Sequence, residues 1–380
     1  MPKLLRLTTV DISLDALLKG QLRYLSHHFE VVAVAADTGV LAQVGEREGV
    51  RTVAVPMHRE ISLWADCKSL WALIRLFRRE RPDIVHVNTP KASLLGMVAA
   101  ALCRVPHRIY LVTGLRFETT HGLLRLVLKT MERIACLCAT KVVPEGDGVK
   151  ATLVRERITR KPMQKVLNGN INGIDLCWYD RTPEVEQRAD EVRGDSSDFT
   201  FVFIGRMVGD KGLNELVEAF DRLSAEREDV RLRLVGRFEE ELDPLPAHTK
   251  QRIRQNPKVE EAGYQSDVRP YLAASDVLVL PSYREGFPNV ILQAGAMGLP
   301  VIVTDVNGSD EVIEQGVNGV IVPRRDAEAL YGAMAQMAAE RKRTAQMASV
   351  ARKMVAERFD QRDVWAAIAQ MYKRELGDDV

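Results

Sequence analysis

Residues 276–312 read DVLVLPSYREGFPNVILQAGAMGLPVIVTDVNGSDEV, and this stretch decides the fold. A short apolar run ending at Leu280 leads into a turn carrying Glu285, Gly286, Phe287 and Pro288. A small-residue segment, Ala294 to Gly298, follows, and a second apolar run starts at Pro300. Strand, turn, helix and strand in that order make a parallel βαβ unit. The turn at the end of such a strand presents backbone N–H groups and a helix N-terminus to an anionic ligand. Gly286 permits close approach of the backbone, and Pro288, which lacks an amide, suits the start of the helix. Asn289 and Val290 then offer first-turn amides to a phosphate. Glu285 is an acceptor for the hydroxyls of a neutral sugar, although the same residues also fit a surface salt bridge beside a turn.

The alternation of apolar runs and helical patterns extends along the whole chain. In the first half the spacing predicts strands over 4–10, 31–35, 52–55, 84–87, 108–112 and 141–143, with helices over 68–79, 93–102 and 123–138. In the second half it predicts strands over 199–204, 231–235, 277–280, 300–304 and 319–322, with helices over 213–225, 290–297 and 327–337. The polar, acidic segment 180–198 reads as a connection with a short helix. This pattern predicts two doubly wound α/β, Rossmann-like domains facing each other across a deep cleft, with ligand at the carboxyl ends of the strands. The domains are 1–170 and 171–355. Residues 356–380 form a terminal helix packing back on the first domain, with Trp365, Ile368 and Tyr372 on one face.

A chain of 380 residues suits two domains of ordinary size. Its 46% hydrophobic and 28% charged residues mark it as globular rather than disordered. No apolar run approaches the roughly 20 residues that span a bilayer. The N-terminus carries charge within its short apolar run and reads as a first strand, not a signal peptide. Five cysteines without a framework point to reduced thiols in a cytoplasmic protein. The net charge of +1 hides an asymmetry: residues 1–170 hold 26 Lys and Arg against 15 Asp and Glu, and the remainder is correspondingly acidic. A basic half suggests a face turned to an anionic surface or ligand. Nucleic acid is excluded, because no aromatic pattern interleaves the basic residues.

A second charged turn follows the 199–204 strand. In Ile204-Gly-Arg-Met-Val-Gly-Asp-Lys211, Gly205, Gly209 and Gly212 allow a tight turn around Arg206 and Lys211. A planar donor fork beside a mobile point charge suits adjacent phosphates. Taken alone, the loop reads equally well as a solvated turn. For a metal the sequence offers little: His86 is isolated and His27-His28 end a helix, so no metal site is expected.

Arg206 with Lys211, Pro281-Ser282 with Glu285-Gly-Phe-Pro288, and Gly298-Leu-Pro-Val301 with Gly308 and Glu311 together resemble family 4 of the retaining glycosyltransferases. The likeness is densest from Phe201 to Val322. Residues 81–90 and 167–175 also look like the family's acceptor-side segment and its link into the second domain. The resemblance implies the two-domain GT-B fold and metal-independent, cofactor-free transfer of a hexose or N-acetylhexosamine. The implied donor is a nucleoside-diphosphate sugar, most plausibly a uridine one. It implies that Arg206 and Lys211 hold the diphosphate, that Glu285 contacts the transferred sugar, and that Gly205, Gly286, Phe287, Pro288, Asn289 and Val290 line the donor. Tyr264 falls in the base-binding segment. Gln293 stands where the family has a second Glu for the ribose. On the acceptor side fall Ser13, His86, Thr89, Thr113, Gly114, Arg116 and Glu118, with Thr113-Gly114 replacing the family's His-Gly. The implied acceptor is a glycan on polyprenyl diphosphate in bacterial polysaccharide or glycoprotein assembly. Two other readings stay open: a nucleotide-sugar-binding protein without catalysis, on Thr113 and Gln293, and an epimerase of the same two-domain architecture.

The basic half adds a membrane expectation. Arg125, Lys129 and Arg133 recur at four-residue spacing beside Leu124, Leu128, Met131 and Ile134, and Trp64, Trp71 and Phe77 lie among Arg75, Arg78, Arg79 and Arg81. This fits peripheral contact with anionic lipid at the inner face of the cytoplasmic membrane. Two core-packed helices with solvated charges explain the same residues.

Overall fold

The computed structural model describes residues 1–58, 62–240 and 243–377. The chain forms two compact α/β units: Met1–Gly173 together with the chain from Gln361 on, and Ile174–Asp360. Each holds a six-stranded parallel sheet. In the first unit the strands are β1 (Lys3–Val10), β2 (Glu30–Ala36), β3 (Arg51–Ala54), β4 (Ile84–Val87), β5 (His107–Val112) and β6 (Lys141–Pro144), in the order β3-β2-β1-β4-β5-β6. The second unit contains β7 (Phe199–Ile204), β8 (Val230–Val235), β9 (Val259–Gly263), β10 (Val277–Leu280), β11 (Val301–Thr304) and β12 (Gly319–Val322), in the order β12-β11-β10-β7-β8-β9. Counted from each unit's first strand, the two orders are the same.

Successive side chains of a strand point to opposite faces, so a strand covered on both sides must be apolar at nearly every position. The first unit obeys this. Leu5, Leu7, Val32, Val34, Val85 and Val87 enter one core, and their neighbours Leu4, Val31, Ala33 and Ile84 enter another on the opposite face. Helices Leu63–Glu80, Pro90–Leu102 and Gly122–Cys138 contribute to the first of these cores. The second core is closed by helices Asp11–Leu17, Gln21–Ser26 and Leu41–Glu48.

The structure adds one strand to the sequence reading and redraws its C-terminal helix. β9 was not legible, because its Glu260 and Glu261 break the apolar pattern. It is an edge strand, and Glu260 accepts from the buried Arg233 of β8 at 2.9 Å. The C-terminal region is two helices, Arg341–Phe359 and Gln361–Leu376, separated at Asp360. Only the latter belongs to the first unit, where Val364, Ile368 and Tyr372 join the core and Trp365 donates from Nε1 to Asn172 at 2.7 Å.

Candidate active site

In the second unit the carboxyl ends of β10, β7, β8 and β9 stand side by side, and each is followed by a turn bearing a charged or aromatic side chain. After β7 the turn runs through Gly205 and Arg206 to Lys211, where residues Gly209–Lys211 form a 3-10 turn capped by Gly212. Gly212 has φ +70, and a Cβ there would lie 1.9 Å from the Pro281 carbonyl oxygen. Only glycine allows the β7 turn to press against the β10 turn in this way. The two turns are also tied by hydrogen bonds. The Tyr283 amide donates to the Asp210 carbonyl at 2.8 Å, and Arg284 donates to the Asp210 carboxylate at 3.2 Å. The Tyr283 hydroxyl reaches both carboxylate oxygens of Glu215, at 2.7 and 2.6 Å.

This bracing brings Lys211 Nζ to 2.5 Å from Glu285 Oε1, with only 20% and 12% of the two side chains exposed. Two residues predicted from separate motifs thus form one ion pair. Arg206 is placed differently: its side chain is 57% exposed, and its guanidinium sits 2.5 Å from Glu239. Glu239 was not found from sequence, where it is one of several acidic residues in a polar run. Beyond Glu285, Phe287 is buried against Phe359, with ring centroids 5.5 Å apart. Pro288 is the N-cap of helix Asn289–Ala296, so Asn289 and Val290 head that helix as expected. Gln293 lies beside Tyr179, whose hydroxyl is pushed up to about 12 by burial.

The next turns complete a row. Val235-Gly-Arg237 after β8 repeats the strand–Gly–Arg pattern of Ile204-Gly-Arg206, a signal that sequence reading passed over. A Cβ on Gly236 would lie 1.8 Å from the Gly205 carbonyl oxygen, so these turns too are in contact. Arg237 lies 4.2 Å from the centroid of the Tyr264 ring, and Tyr264 is 60% exposed. In sheet order the row reads Glu285 with Lys211, then Arg206, then Arg237 with Tyr264. It spans three strand spacings of about 4.8 Å each.

The first unit's predicted residues are less concentrated. Ser13 is half-buried in helix Asp11–Leu17. Thr89, at φ +70, caps helix Pro90–Leu102, and its hydroxyl lies 2.8 Å from that of Thr9 and accepts from the Thr9 amide. Thr113 and Gly114 follow β5 and are half-buried, Arg116 is exposed, and Glu118 accepts from Thr152 at 3.1 Å. His86 is a correction. It is wholly buried in β4, its Nδ1 2.5 Å from the Tyr372 hydroxyl of the terminal helix, which also accepts from Arg6 at 3.0 Å. Burial, with the Arg6 cation beside it, holds its imidazole well below the ordinary value. Strand parity explains this, since His86 shares a face with Ile84 and points into the core. Among the described residues no group of three or more His, Cys, Asp or Glu is arranged to hold a metal, and no helix is long and apolar enough to cross a membrane.

Comparison with known proteins agrees with this division. Residues 198–340 match the family described as glycosyl transferases group 1, and residues 17–169 match the glycosyl transferase 4-like domain. The chain is 32% identical to the capsular polysaccharide biosynthesis glycosyltransferase CapM of Staphylococcus aureus, over 98% of this chain and 97% of that protein. It is 28% identical to the Escherichia coli UDP-Gal:alpha-D-GlcNAc-diphosphoundecaprenol alpha-1,3-galactosyltransferase, over 82% and 81%. Among solved structures, Anabaena Alr3699/HepE in complex with UDP-glucose superposes with a TM-score of 0.81 at 20% identity, covering 98% of this chain and all of that one.

Proposed function

This chain belongs to the group 1 glycosyl transferases and has the GT-B fold, and on that premise we propose that it is a retaining, metal-independent transferase of a hexose or N-acetylhexosamine. The donor is a nucleoside-diphosphate sugar, with uridine as the nucleoside. The acceptor is a glycan on polyprenyl diphosphate, in bacterial polysaccharide or glycoprotein assembly, and the enzyme works at the inner face of the cytoplasmic membrane. UDP-glucose in HepE supports the donor class, and the diphosphoundecaprenol acceptor named for the E. coli relative supports the lipid carrier.

The observation that carries the reading is the braced Lys211–Glu285 pair within the row of turns. Such a row matches an extended nucleotide sugar: Glu285 meets the sugar hydroxyls, Lys211 and Arg206 the diphosphate, and Tyr264 with Arg237 the base. Glu285 and Lys211 neutralise each other in a partly buried place. A phosphate that takes over Lys211 frees Glu285 to accept from a hydroxyl, so donor binding exchanges one charge-assisted set for another. Fixed cations at the departing diphosphate stabilise the charge that develops as the glycosidic bond breaks. In same-face attack the leaving phosphate takes the acceptor's proton, so Thr113 in place of the family's His leaves a route open. The Thr113 hydroxyl supplies a hydrogen bond, not a base.

Glu285→Ala tests the reading. With UDP-sugars and a lipid-diphosphate glycan, transfer should collapse while calorimetric UDP affinity largely survives. Wild-type protein that binds donor and never turns it over with any acceptor would leave the non-catalytic binding protein. Isomerised nucleotide sugar without acceptor would instead support the epimerase.

A further inference from the structure

Two helices of the first unit show solvent a surface that the fold does not use. Helix Gly122–Cys138 turns Leu128, Ala135 and Cys136 into the core. On its opposite side Leu123 (77% exposed), Leu126, Val127, Ile134 and Leu137 (76%) recur at helical spacing, with Thr130 among them. A helix of a water-soluble layer needs one apolar stripe, and this one has two. Helix Leu63–Glu80 exposes Trp64 (74%) and Trp71 on one side, with Lys68 5.4 Å from the Trp64 ring centroid and Arg75 4.5 Å from that of Trp71.

We propose that these two outward faces seat the protein on an anionic phospholipid bilayer. Exposed tryptophan beside Lys and Arg suits the headgroup level, where the ring is half-desolvated and the cation stays wet. The aliphatic stripe of the second helix suits shallow insertion at the acyl boundary. Charge supports this partner. The carboxylates on the two helices are Asp66, Glu80 and Glu132. Asp66 accepts from Lys91 at 2.7 Å, Glu80 is ringed by Lys3, Arg51 and Arg79, and Glu132 is buried against Tyr110. Lys68 and Arg75 have no carboxylate partner among the described residues. A second copy seated on the same surface would bring these cations against their own counterparts.

The structure also corrects which residues make the contact. Arg125 and Lys129, which the sequence suggests as lipid-facing, are turned to Glu156 at 3.0 and 2.7 Å, and Arg133 to the Arg157 carbonyl at 3.3 Å. Lipid contact by this helix is therefore apolar, and the exposed cations come from the tryptophan-bearing helix. Helix Pro90–Leu102 packs against both and joins them into one layer. The aliphatic face begins directly after the 113–121 segment that carries Thr113 and Arg116, so the bilayer surface would meet the proposed acceptor side. The inference adds a surface to the proposed function, and its test is separable from it.

The test is flotation of the full chain with vesicles of phosphatidylcholine, with and without phosphatidylglycerol, at low and high salt. Wild type should float with the anionic vesicles and lose binding as salt rises. Leu123→Glu/Leu126→Glu/Leu137→Glu should bind at least about 10-fold more weakly. Trp64→Ala/Trp71→Ala should weaken binding with an unchanged melting temperature. The triple variant should keep transfer to a short-chain, water-soluble acceptor. Binding indifferent to phosphatidylglycerol, or unchanged in both variants, overturns the proposal. So does sedimentation showing a dimer that the triple variant dissociates. Vesicle binding without transfer to any acceptor would defeat the enzyme reading and leave the docking surface standing.

Discussion

At the carboxyl end of β7 the turn holds two cations, each against a carboxylate; at the end of β1, its counterpart in the first unit, the charge is spent on backbone. There Asp11 accepts from the amides of Thr38 at 2.7 Å, Val40 at 3.0 Å and Ile12 at 2.8 Å, which ties down the 37–40 loop. The same contrast holds for the neighbouring pair. The β10 turn offers Glu285 to Lys211, whereas the β4 turn ends in Thr89 bonded to Thr9. One topology thus serves two purposes. In the second unit side chains are paired with each other, and an incoming phosphate or sugar can replace a partner without leaving a backbone group unsatisfied. In the first unit the polar groups hold the loops themselves, so they fix shape and carry little charge for a ligand to exchange.

The contrast is easiest to break with a pair of substitutions. Lys211→Ala removes a fixed cation from the proposed leaving group and should lower kcat about 10²–10³-fold. Thr113→Ala removes a neutral hydrogen bond and should cost about 10-fold or less. Steady-state kinetics on the same donor and acceptor compare them directly. Equal losses would mean that the first unit takes part in the charge chemistry as fully as the second.

Legibility in the sequence followed the same division. Apolar strands ending in Gly-rich turns announce themselves, so Arg206, Lys211 and Glu285 were readable along with eleven of the twelve strands. What no spacing announces is a partner brought in from another turn. Glu239 sits in an acidic run, and only the fold places it 2.5 Å from Arg206. Gln293 was visible as a departure, but the Tyr179 beside it lies in the segment that precedes the sheet. His86 could have been set aside from its place in a central parallel strand, which is covered on both faces. In the first unit an exposed stripe and a core stripe on one helix look alike in sequence. Burial alone separates Leu123 from Leu128.

A pH experiment sharpens the contrast from the first unit's side. Glu132 is buried with its carboxylate 2.5 Å from the Tyr110 hydroxyl, and burial pushes its carboxyl up to about 7. Between the ordinary carboxylate value and 7 the folded state keeps a proton that the unfolded chain has lost. Its contribution to stability is therefore full below about 4.5 and declines as pH rises to 7, by on the order of 3 kcal/mol. Glu132→Gln keeps an acceptor for Tyr110 and should flatten that decline, as read from urea midpoints of the transition assigned to the first unit. A wild-type slope unchanged in the variant would place the titrating group elsewhere.

The smallest expected effect is at Glu239. With Arg206 more than half exposed, this rim pair contributes no more than about 1 kcal/mol, so Glu239→Gln should leave the melting temperature nearly unchanged. Its effect should appear in donor binding. In the proposed function the diphosphate competes with Glu239 for Arg206, and removing the competitor should lower the donor KM by a few-fold, less at high salt. Thr152→Val, which removes the hydroxyl that donates to Glu118 in the first unit, should not change the donor KM. A raised donor KM in Glu239→Gln would make Glu239 a donor ligand in its own right. The second unit's carboxylates would then be contacts that stay with the bound donor instead of partners that yield to it.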